Sequence, residues 1–375
     1  MAGSGSAERD ALVSRLLYRS MFMWRLTGLA VLLTTLSSPP AAAATPDLAA
    51  LTARIEQIVR TSPGDVGVAL AHIESGTRLS IHGDQRFPMA SVYKLPIAIE
   101  ALAQVAEGKL ELSRPVTLGP NDIRACCTLS RRYPRGGVTL TLRDLIELMM
   151  IESDNSAVDA VLKLVGGPAV VERRLRAQGF KDININRYDA QISLEMCGVR
   201  EVVAESDWTL QLQRRLIAGV TPEDLRAARA RYTTSDPRDT STPDDMAALL
   251  VRLQRGDLLP WPYGEQLIDR MSHAKTGLRR LKARLPPDTV VAHKTGTTDV
   301  VINDVGIITL PEGGGHLVLA VFVKNGGRGA MQHTIAEIAA ASYESFTGKR
   351  LSPPPPPKAI RASRQALARQ HKPAK

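Results

Sequence analysis

Predicted strands occur near both ends of this 375-residue chain, and predicted helices fill the stretch between them. The early β-rich runs are 66–73 and 77–81, joined by the hairpin signal Glu74-Ser75-Gly76. The late β-rich runs are 290–295, 305–310 and 316–323. Runs with helical periodicity and helix start or stop signals are 47–61, 89–106, 142–151, 157–165, 168–179 and 334–346. This order favours one α/β lobe made from both chain ends, with an all-helical lobe inserted between them.

The expected boundaries are 45–88 and 236–348 for the α/β lobe, and 89–235 for the helical lobe. A hydrophobic fraction of 44% and a charged fraction of 23% exclude a largely disordered or collagen-like chain. Aromatic residues make up only 4%, so the core must consist mostly of Leu, Val, Ile and Ala.

The net charge of +10 is concentrated at the two ends of the chain. Residues 349–375 carry eight basic residues and no acidic one, while 1–44 carry four basic and two acidic residues. The remainder, 45–348, is therefore electrically balanced. A nucleic-acid partner is accordingly not expected. The tail follows five consecutive prolines, 353–357, and is predicted to be disordered and solvated. Contact with an anionic polymer or lipid is the alternative role.

The N-terminal 44 residues have the organisation of a secretory signal peptide. Arg15, Arg19 and Arg25 precede an apolar run at 26–36, and small residues at 41–44 provide an A-x-A cleavage pattern. A membrane anchor is the alternative, but an 11-residue run is too short to span a bilayer core of about 30 Å. We therefore expect a periplasmic or secreted protein without a membrane span after cleavage at Ala44.

Three short motifs bring together groups suited to acyl transfer. Ser91-Val92-Tyr93-Lys94 places a hydroxyl and an amine one helical turn apart, so that the neutral amine can take the serine proton. Ser153-Asp154-Asn155 offers a hydroxyl for proton relay and an amide for substrate binding, although such residues also suit an ordinary capping turn. Lys294-Thr295-Gly296-Thr297 ends an apolar strand and suits a substrate carboxylate. A second copy, Lys275-Thr276-Gly277, shows how little that triplet means alone.

In this order and on these predicted elements, the motifs resemble the signature of class A β-lactamases and penicillin-binding proteins. The stretches 87–94, 145–155, 236–249 and 293–306 resemble the class A pattern as well, and the similarity covers most of 48–348. The resemblance implies a β-lactamase-like fold. In that fold an antiparallel sheet flanked by helices carries an inserted helical lobe, and the active site lies in the cleft between them.

The resemblance also implies a role for each motif residue. Ser91 would be the acylated nucleophile and Lys94 its base, while Ser153 would pass a proton to the leaving nitrogen. Asn155 would bind the substrate's side-chain amide. The substrate carboxylate would be bound by the strand motif Lys294, Thr295, Gly296 and Thr297. The backbone N–H groups of Ser91 and Thr297 would form the oxyanion hole.

The sequence departs from the family in the loop that should carry the deacylating carboxylate. Arg187 and Asp239 match the ion pair that closes the loop, and Asp189 then takes the place of the family's glutamate, with Glu195 in reserve. Aspartate is one methylene shorter, and a misplacement of about 1 Å can cost about 10²-fold in rate. The loop is also long. Helices predicted at 206–218 and 221–230 could form a lid over the site or pack beside it.

Three further predictions concern arginine, cysteine and histidine. The strand after the Lys294 motif offers no arginine, so Arg279 is the candidate for binding the substrate carboxylate. Cys197 could pair with Cys126 or Cys127, or all three could be buried thiols. The seven histidines show no ligand spacing, so no metal or other cofactor is expected.

The expected function is that of an exported, monomeric serine β-lactamase acting on a small-molecule β-lactam. Two alternatives share the same motifs. A D-Ala-D-Ala peptidase or penicillin-binding acyl transferase would use the same nucleophile without a competent deacylating group. A catalytically weak penicillin-binding or cell-wall sensor would need only the binding groups.

Overall fold

The computed structural model describes residues 46–352. The predicted signal peptide at 1–44 and the tail from 353 onward lie outside the described residues. The strands are β1 (Asp65–His72), β2 (Arg78–Ile81), β3 (Phe87–Pro88), β4 (Pro115–Leu118), β5 (Val138–Thr141), β6 (Thr240–Ser241), β7 (Val291–Thr297), β8 (Val301–Thr309) and β9 (His316–Lys324). The helices are α1 (Leu48–Thr61), α2 (Lys94–Ala106), α3 (Cys127–Arg132), α4 (Leu142–Ile151), α5 (Asn155–Leu164), α6 (Pro168–Ala177), α7 (Asp189–Met196), α8 (Leu210–Ala218), α9 (Pro222–Thr234), α10 (Pro243–Arg255), α11 (Tyr263–Ser272) and α12 (Arg328–Thr347).

The main sheet combines strands from both ends of the chain, as the sequence predicts. Its order is β2-β1-β9-β8-β7, and every neighbouring pair is antiparallel. The early strand β1 pairs along its whole length with the late strand β9, from Asp65 opposite Lys324 to His72 opposite Leu317. β8 and β9 are buried almost throughout, because helices cover both faces of the sheet.

Two apolar cores lie on opposite faces of this sheet. On one face, α1 and α12 bury Leu51, Ile55, Ile335 and Ile338 against the strands. On the other face, α10 packs on β1 and β9, and the core continues into the helices around α2. Gly67 of β1 lets the Phe87 ring pack closely against the sheet, because a Cβ at this position would lie 2.4 Å from that ring.

The helical region is organised around α2, which is buried along most of its length. Helices α4, α5 and α6 pack against it. Helix α4 begins at a capping box in which Thr141 and Asp144 each accept the other's backbone N–H. Its bounds match the predicted 142–151. The short β4–β5 hairpin beside it was not predicted from the sequence.

The long loop between Arg187 and Asp239 contains α7, α8 and α9. Two helices were predicted there, and they occur with shifted ends as Leu210–Ala218 and Pro222–Thr234. Helix α7, which begins at Asp189, was not predicted. The two ends of the loop are joined by the Arg187 Nε–Asp239 Oδ2 ion pair at 2.6 Å, as the resemblance implies.

The first residues of the predicted disordered tail belong to the folded body. Leu351 packs against the core under α12, and its N–H donates to Glu344 at 2.7 Å. Arg284 donates to the Ser352 carbonyl at 2.8 Å. Residues 349–352, which the sequence assigns to the tail, therefore lie within the described part of the chain. None of the helices described between 46 and 352 is long and apolar enough to cross a membrane.

Candidate active site

A cleft of about 520 Å³ opens between the end of β7 and the helical region. Side chains from all three motifs line it: Ser91 before α2, Ser153 and Asn155 between α4 and α5, and Thr295 and Thr297 on β7. Asp189 at the start of α7 lines it too. The fold therefore brings together segments that lie up to about 200 positions apart in the sequence.

Ser91 and Lys94 occupy the turn from which the buried helix α2 begins. Ala90–Tyr93 form a single 3₁₀ turn, entered through Ala90 at a positive φ of 45°, and α2 starts at Lys94. The Lys94 Nζ lies 3.1 Å from Ser91 Oγ, and the lysine is fully buried. Burial lowers the pKa of Lys94, although Asp189, Asp154 and Asp159 oppose this shift. A larger fraction of neutral amine is thereby available to accept the Ser91 proton.

Ser153 connects the two buried lysines. Its Oγ lies 3.3 Å from Lys94 Nζ and 2.9 Å from Lys294 Nζ. Ser153 has a positive φ of 60°, and the adjacent Asp154 fixes the turn by accepting the Leu129 and Ala157 N–H groups. Asp154 therefore caps α5, as expected for an ordinary capping turn, while Ser153 and Asn155 line the cleft.

Asn155 points its side-chain oxygen at Lys94 Nζ, 2.6 Å away. Its amide nitrogen lies 3.4 Å from the Ala125 carbonyl oxygen, at the outer limit of a hydrogen bond. Asn155 therefore helps to hold Lys94 through its side-chain oxygen and also lines the cleft.

The strand motif approaches Ser91 closely because Gly296 lacks a side chain. A Cβ on Gly296 would lie 2.3 Å from the Met89 carbonyl oxygen and 3.3 Å from Ala90. Asn303 on β8 fastens the same segment, donating to the carbonyls of Pro88 and Met89 at 2.8 and 3.1 Å. Sequence analysis missed Asn303, which no motif includes.

Lys294 is fully buried behind this strand edge. Burial, and next the charge of Lys94, hold the pKa of Lys294 well below the ordinary lysine value; Asp304 opposes the shift. An incoming anion would favour the charged form of Lys294.

Of the neighbouring arginines Arg279 and Arg280, only Arg280 lines the cleft, which Arg328 at the start of α12 also lines. Arg279 is exposed and absent from the cleft lining, so this geometry does not support the prediction that it binds the substrate carboxylate. Arg280 is buried, and its guanidinium donates to the carbonyls of Gly296 and Asn303 and to Thr297 Oγ1 at 2.5 Å. Adjacent arginines give identical sequence signals, so only the direction of the turn at 277–280 decides between them.

Asp189 is buried at the first position of α7, facing the cleft. Burial raises the pKa of Asp189 to about 7, with Lys94 and Arg124 opposing the shift and Asp159 adding to it. A carboxyl group with this pKa can accept and return a proton near neutral pH. The Ser193 hydroxyl donates to Asp189 Oδ2 at 3.2 Å.

The reserve candidate Glu195 is engaged elsewhere. Its carboxylate pairs with Arg187 and Arg238 at 2.6 and 2.7 Å, and it does not line the cleft. Asp189 is therefore the loop carboxylate that meets the cleft beside Ser91.

The cysteines differ from both sequence expectations. Cys126 and Cys127, which are neighbours in the chain, form a disulfide, and Cys197 is free. Both half-cystines have positive φ, 91° and 78°, and both line the cleft. Nothing in the local sequence indicated either the pairing of adjacent cysteines or this backbone conformation.

No cluster of three or more His, Cys, Asp or Glu side chains within 46–352 is arranged to hold a metal ion. His293, which precedes Lys294, is a buried strand residue, and its Nδ1 hydrogen-bonds to Asp304 at 2.8 Å.

Comparison with known proteins places this cleft in a family. Residues 50–346 match the model of the β-lactamase enzyme family. The chain is 29% identical to the β-lactamase VEB-1 of Pseudomonas aeruginosa, covering 80% of this chain and 91% of that one. It is 27% identical to the carbapenem-hydrolyzing β-lactamase KPC of Klebsiella oxytoca, covering 90% and 98%.

Solved structures agree with these relatives. A β-lactamase from Chitinophaga pinensis superposes with a TM-score of 0.65 at 29% identity, covering 79% of this chain and 99% of that one. An ancestral class A β-lactamase gives 0.64 at 30% identity, covering 79% and 100%. Since the matched region contains the whole cleft, the chain belongs to the β-lactamase enzyme family and is a class A β-lactamase.

Proposed function

We propose that the protein hydrolyses the β-lactam amide through an acyl-Ser91 intermediate. The observation that carries this proposal is the buried Lys94 amine 3.1 Å from Ser91 Oγ, because a neutral amine at that distance can activate the hydroxyl. Lys94 takes the Ser91 proton as Oγ attacks the lactam carbonyl carbon. The C–N bond then breaks, and Ser153 delivers a proton to the leaving nitrogen, replacing it from the lysines beside it.

Substrate binding uses the strand edge and the turn opposite. The backbone N–H groups of Ser91 and Thr297 stabilise the oxyanion, a contribution of about 3–4 kcal/mol for one donor. Lys294, Thr295 and Thr297 bind the carboxylate, and Arg280 replaces Arg279 as the arginine of this subsite. The Asn155 amide binds the substrate's side-chain carbonyl.

Asp189 completes the cycle by activating water. Its carboxylate takes a proton from the water that attacks the acyl carbonyl, and Ser91 leaves with a proton returned through Lys94. Because only ionised Asp189 is a base, and burial raises its pKa to about 7, deacylation slows as the pH falls through this value.

The export prediction rests on the sequence of residues 1–44 alone. We propose that they direct the protein out of the cytoplasm and are removed after Ala44. Intact mass of the protein recovered from periplasm or medium tests this, and a mature mass that retains these residues contradicts it. We also propose that the enzyme acts as a monomer, which light scattering of the purified protein tests.

The decisive experiment follows a chromogenic cephalosporin over time, with Ser91→Ala as the control. Steady turnover that is lost in the variant, with a covalent adduct on Ser91 in the mass spectrum, supports the proposal. One equivalent of product followed by a stall indicates a penicillin-binding protein that does not deacylate. Absence of any adduct on wild-type protein overturns the acyl-serine mechanism.

Asp189→Asn separates the two half-reactions. We expect acylation to persist and turnover to collapse into a single burst. The variant should also be more stable than wild type, and this difference in the free energy of unfolding should be larger at pH 8 than at pH 5. Burial raises the pKa of Asp189 to about 7, so the folded wild-type protein keeps this carboxyl protonated at pH 5 and must hold it ionised in the interior at pH 8, a cost that asparagine avoids. Turnover that continues unchanged would assign water activation to another group.

A further inference from the structure

We refer to residues 197–231 of the long loop between Arg187 and Asp239 as the insertion. This insertion packs beside the cleft and is not a lid over it. Among the described residues, none between 197 and 231 lines the cleft. The segment around α8 instead docks on the loop that precedes α3. Lys163 on α5 pairs with Glu205 of the insertion at 2.7 Å, and the buried Gln213 donates to the Ile123 carbonyl at 3.4 Å.

Trp208 is the main anchor of this docked segment. It is 3% exposed, and its indole N–H donates within the insertion to the Val203 carbonyl at 3.0 Å. One ring neighbour is the Arg124 guanidinium, 5.0 Å from the ring centroid. The other is Tyr188, in an edge-on contact with ring centroids 5.6 Å apart. Tyr188 is the residue directly before Asp189.

Arg124 is 1% exposed and joins the insertion to the helical region. Its Nη1 donates to the Trp208 carbonyl at 3.1 Å and to the Asn121 carbonyl at 2.7 Å. Its Nε donates to Asp159 on α5 at 2.6 Å. A planar guanidinium can make these bonds simultaneously in different directions, which a lysine ammonium in the same place cannot.

Asp159 passes this connection to the start of α7. Its carboxylate accepts the backbone N–H of Asp189 at 2.6 Å and that of Ala190 at 3.2 Å, in addition to Arg124. The contact therefore fixes the backbone that carries the Asp189 carboxyl. A buried carboxylate in this position needs the Arg124 charge, because an unpaired charge in the interior is costly.

We propose that Arg124 is a positioning residue for Asp189, held in place by Trp208, so that the insertion sets the rate of deacylation. The inference rests on the proposed function, since it needs Asp189 to act on an acyl-enzyme. The proposal requires that water attacks the acyl-enzyme more slowly when Arg124 or Trp208 is changed. Acylation should be preserved, because Ser91 and Lys94 lie on other elements and keep their geometry.

The charges around Asp189 provide an independent readout. Lys94 faces it from α2, Asp159 from α5 and Arg124 from the loop before α3, with the hydroxyls of Tyr93 and Tyr232 also nearby. Asp159→Asn removes a negative charge and keeps an oxygen for the Asp189 N–H. The pKa of Asp189 should fall, so the acidic limb of the deacylation rate should move to lower pH. Arg124→Lys keeps the charge and should leave that limb in place.

The main experiment compares acylation and deacylation rates in Trp208→Leu and Arg124→Lys full-length protein. We expect deacylation of a cephalosporin adduct to slow at least tenfold in each, with acylation within about twofold of wild type. Matched controls are Trp261→Leu, an exposed tryptophan, and Arg174→Lys, whose partner is the buried Glu100 away from the cleft. Both controls should leave the ratio of the two rates unchanged.

Each outcome has a separate meaning. Equal loss of both rates, or lower thermal stability with both rates intact, overturns the positioning role. An acidic limb that does not move in Asp159→Asn removes the electrostatic part of the proposal. Wild-type protein that never forms an acyl adduct on Ser91 refutes the proposed function itself. This outcome is distinct from any variant result, because the variants are judged by their rates relative to an acylating wild type. Should Arg124→Lys fail to fold, Trp208→Leu still decides.

Discussion

The chain contains the triplet Lys-Thr-Gly twice, and the two copies have opposite environments. In the copy on β7, the Lys294 side chain is fully buried and its Nζ lies 2.9 Å from Ser153 Oγ. In the copy that follows α11, the Lys275 side chain is 69% exposed and pairs with Glu152 at 2.9 Å. The same three residues are thus site chemistry in one place and surface structure in the other. Lys294 lies on β7, whose Gly296 packs closely against the Met89 carbonyl before Ser91, whereas Lys275 lies in the loop after α11.

The copies also touch each other. Thr276 and Thr295 share a hydrogen bond of 2.7 Å between their Oγ1 atoms. Gly277 has a φ of +76°, and a Cβ there would lie 2.4 Å from the Thr295 methyl group. The second copy therefore forms the wall against which the first copy packs. Substitutions in matched pairs can measure how far the two copies differ.

The largest effect is expected for Lys294→Met. We predict a fall of about 10²- to 10³-fold in kcat/KM, because the substrate carboxylate loses a buried cationic partner. Thermal stability should be unchanged or higher, since burial disfavours the charged lysine and Met fills a similar volume. Steady-state kinetics and a melting curve check both parts. A variant with normal kcat/KM would remove Lys294 from the binding site.

Gly296→Ala tests the close approach of β7 to the Ser91 turn. The added methyl group meets the Met89 carbonyl oxygen at 2.3 Å, so the backbone must shift. We expect a loss of about 10²-fold in the acylation rate, together with about 1–3 kcal/mol of stability. Gly329→Ala is the control, because nothing lies within 4 Å of its Cβ. Equal behaviour of the two variants would show that the approach is not constrained.

The neighbouring arginines after the second copy provide the next test. Arg280→Ala should raise KM by about 10- to 100-fold, the value of one or two hydrogen bonds to a charged group. Arg279→Ala should change KM by less than about twofold, because this side chain is exposed and outside the cleft. Initial rates across substrate concentration measure both. A larger effect at Arg279 would restore the prediction made from the sequence.

Local signals predicted the fold where they were self-contained. The helix start signal at Thr141 and Asp144 marked the bounds of α4, and the β-rich runs marked the strands of the main sheet. Helix α7 was missed because its first turn depends on Asp159, which lies 30 positions earlier. The β4–β5 hairpin was missed because 19 residues separate its two short strands.

Motif order and spacing predicted that the three motifs form one candidate site. Ser91, Lys94 and Ser153 lie at helix ends and Lys294 lies within β7, and the fold brings their side chains within hydrogen-bond distance of one another. The choice between Arg279 and Arg280 depends on side-chain direction, and the Cys126–Cys127 pairing depends on backbone conformation. Asn303 and Arg124 act through contacts distant in sequence. Short windows of sequence contain none of these facts.

The smallest effect is expected for Lys275→Met, which breaks only the ion pair of the second copy. Exposed pairs contribute about 0–1 kcal/mol, and Glu152 keeps its hydrogen bond to Thr128. We therefore predict kcat/KM within about twofold of wild type and a melting temperature within a few degrees of it. The comparison with Lys294→Met then isolates environment, since both variants replace the lysine of the same triplet with methionine. A tenfold loss of kcat/KM in Lys275→Met would mean that the cleft depends on the ion pair between Lys275 and Glu152. The two Lys-Thr-Gly copies would then contribute to the site together.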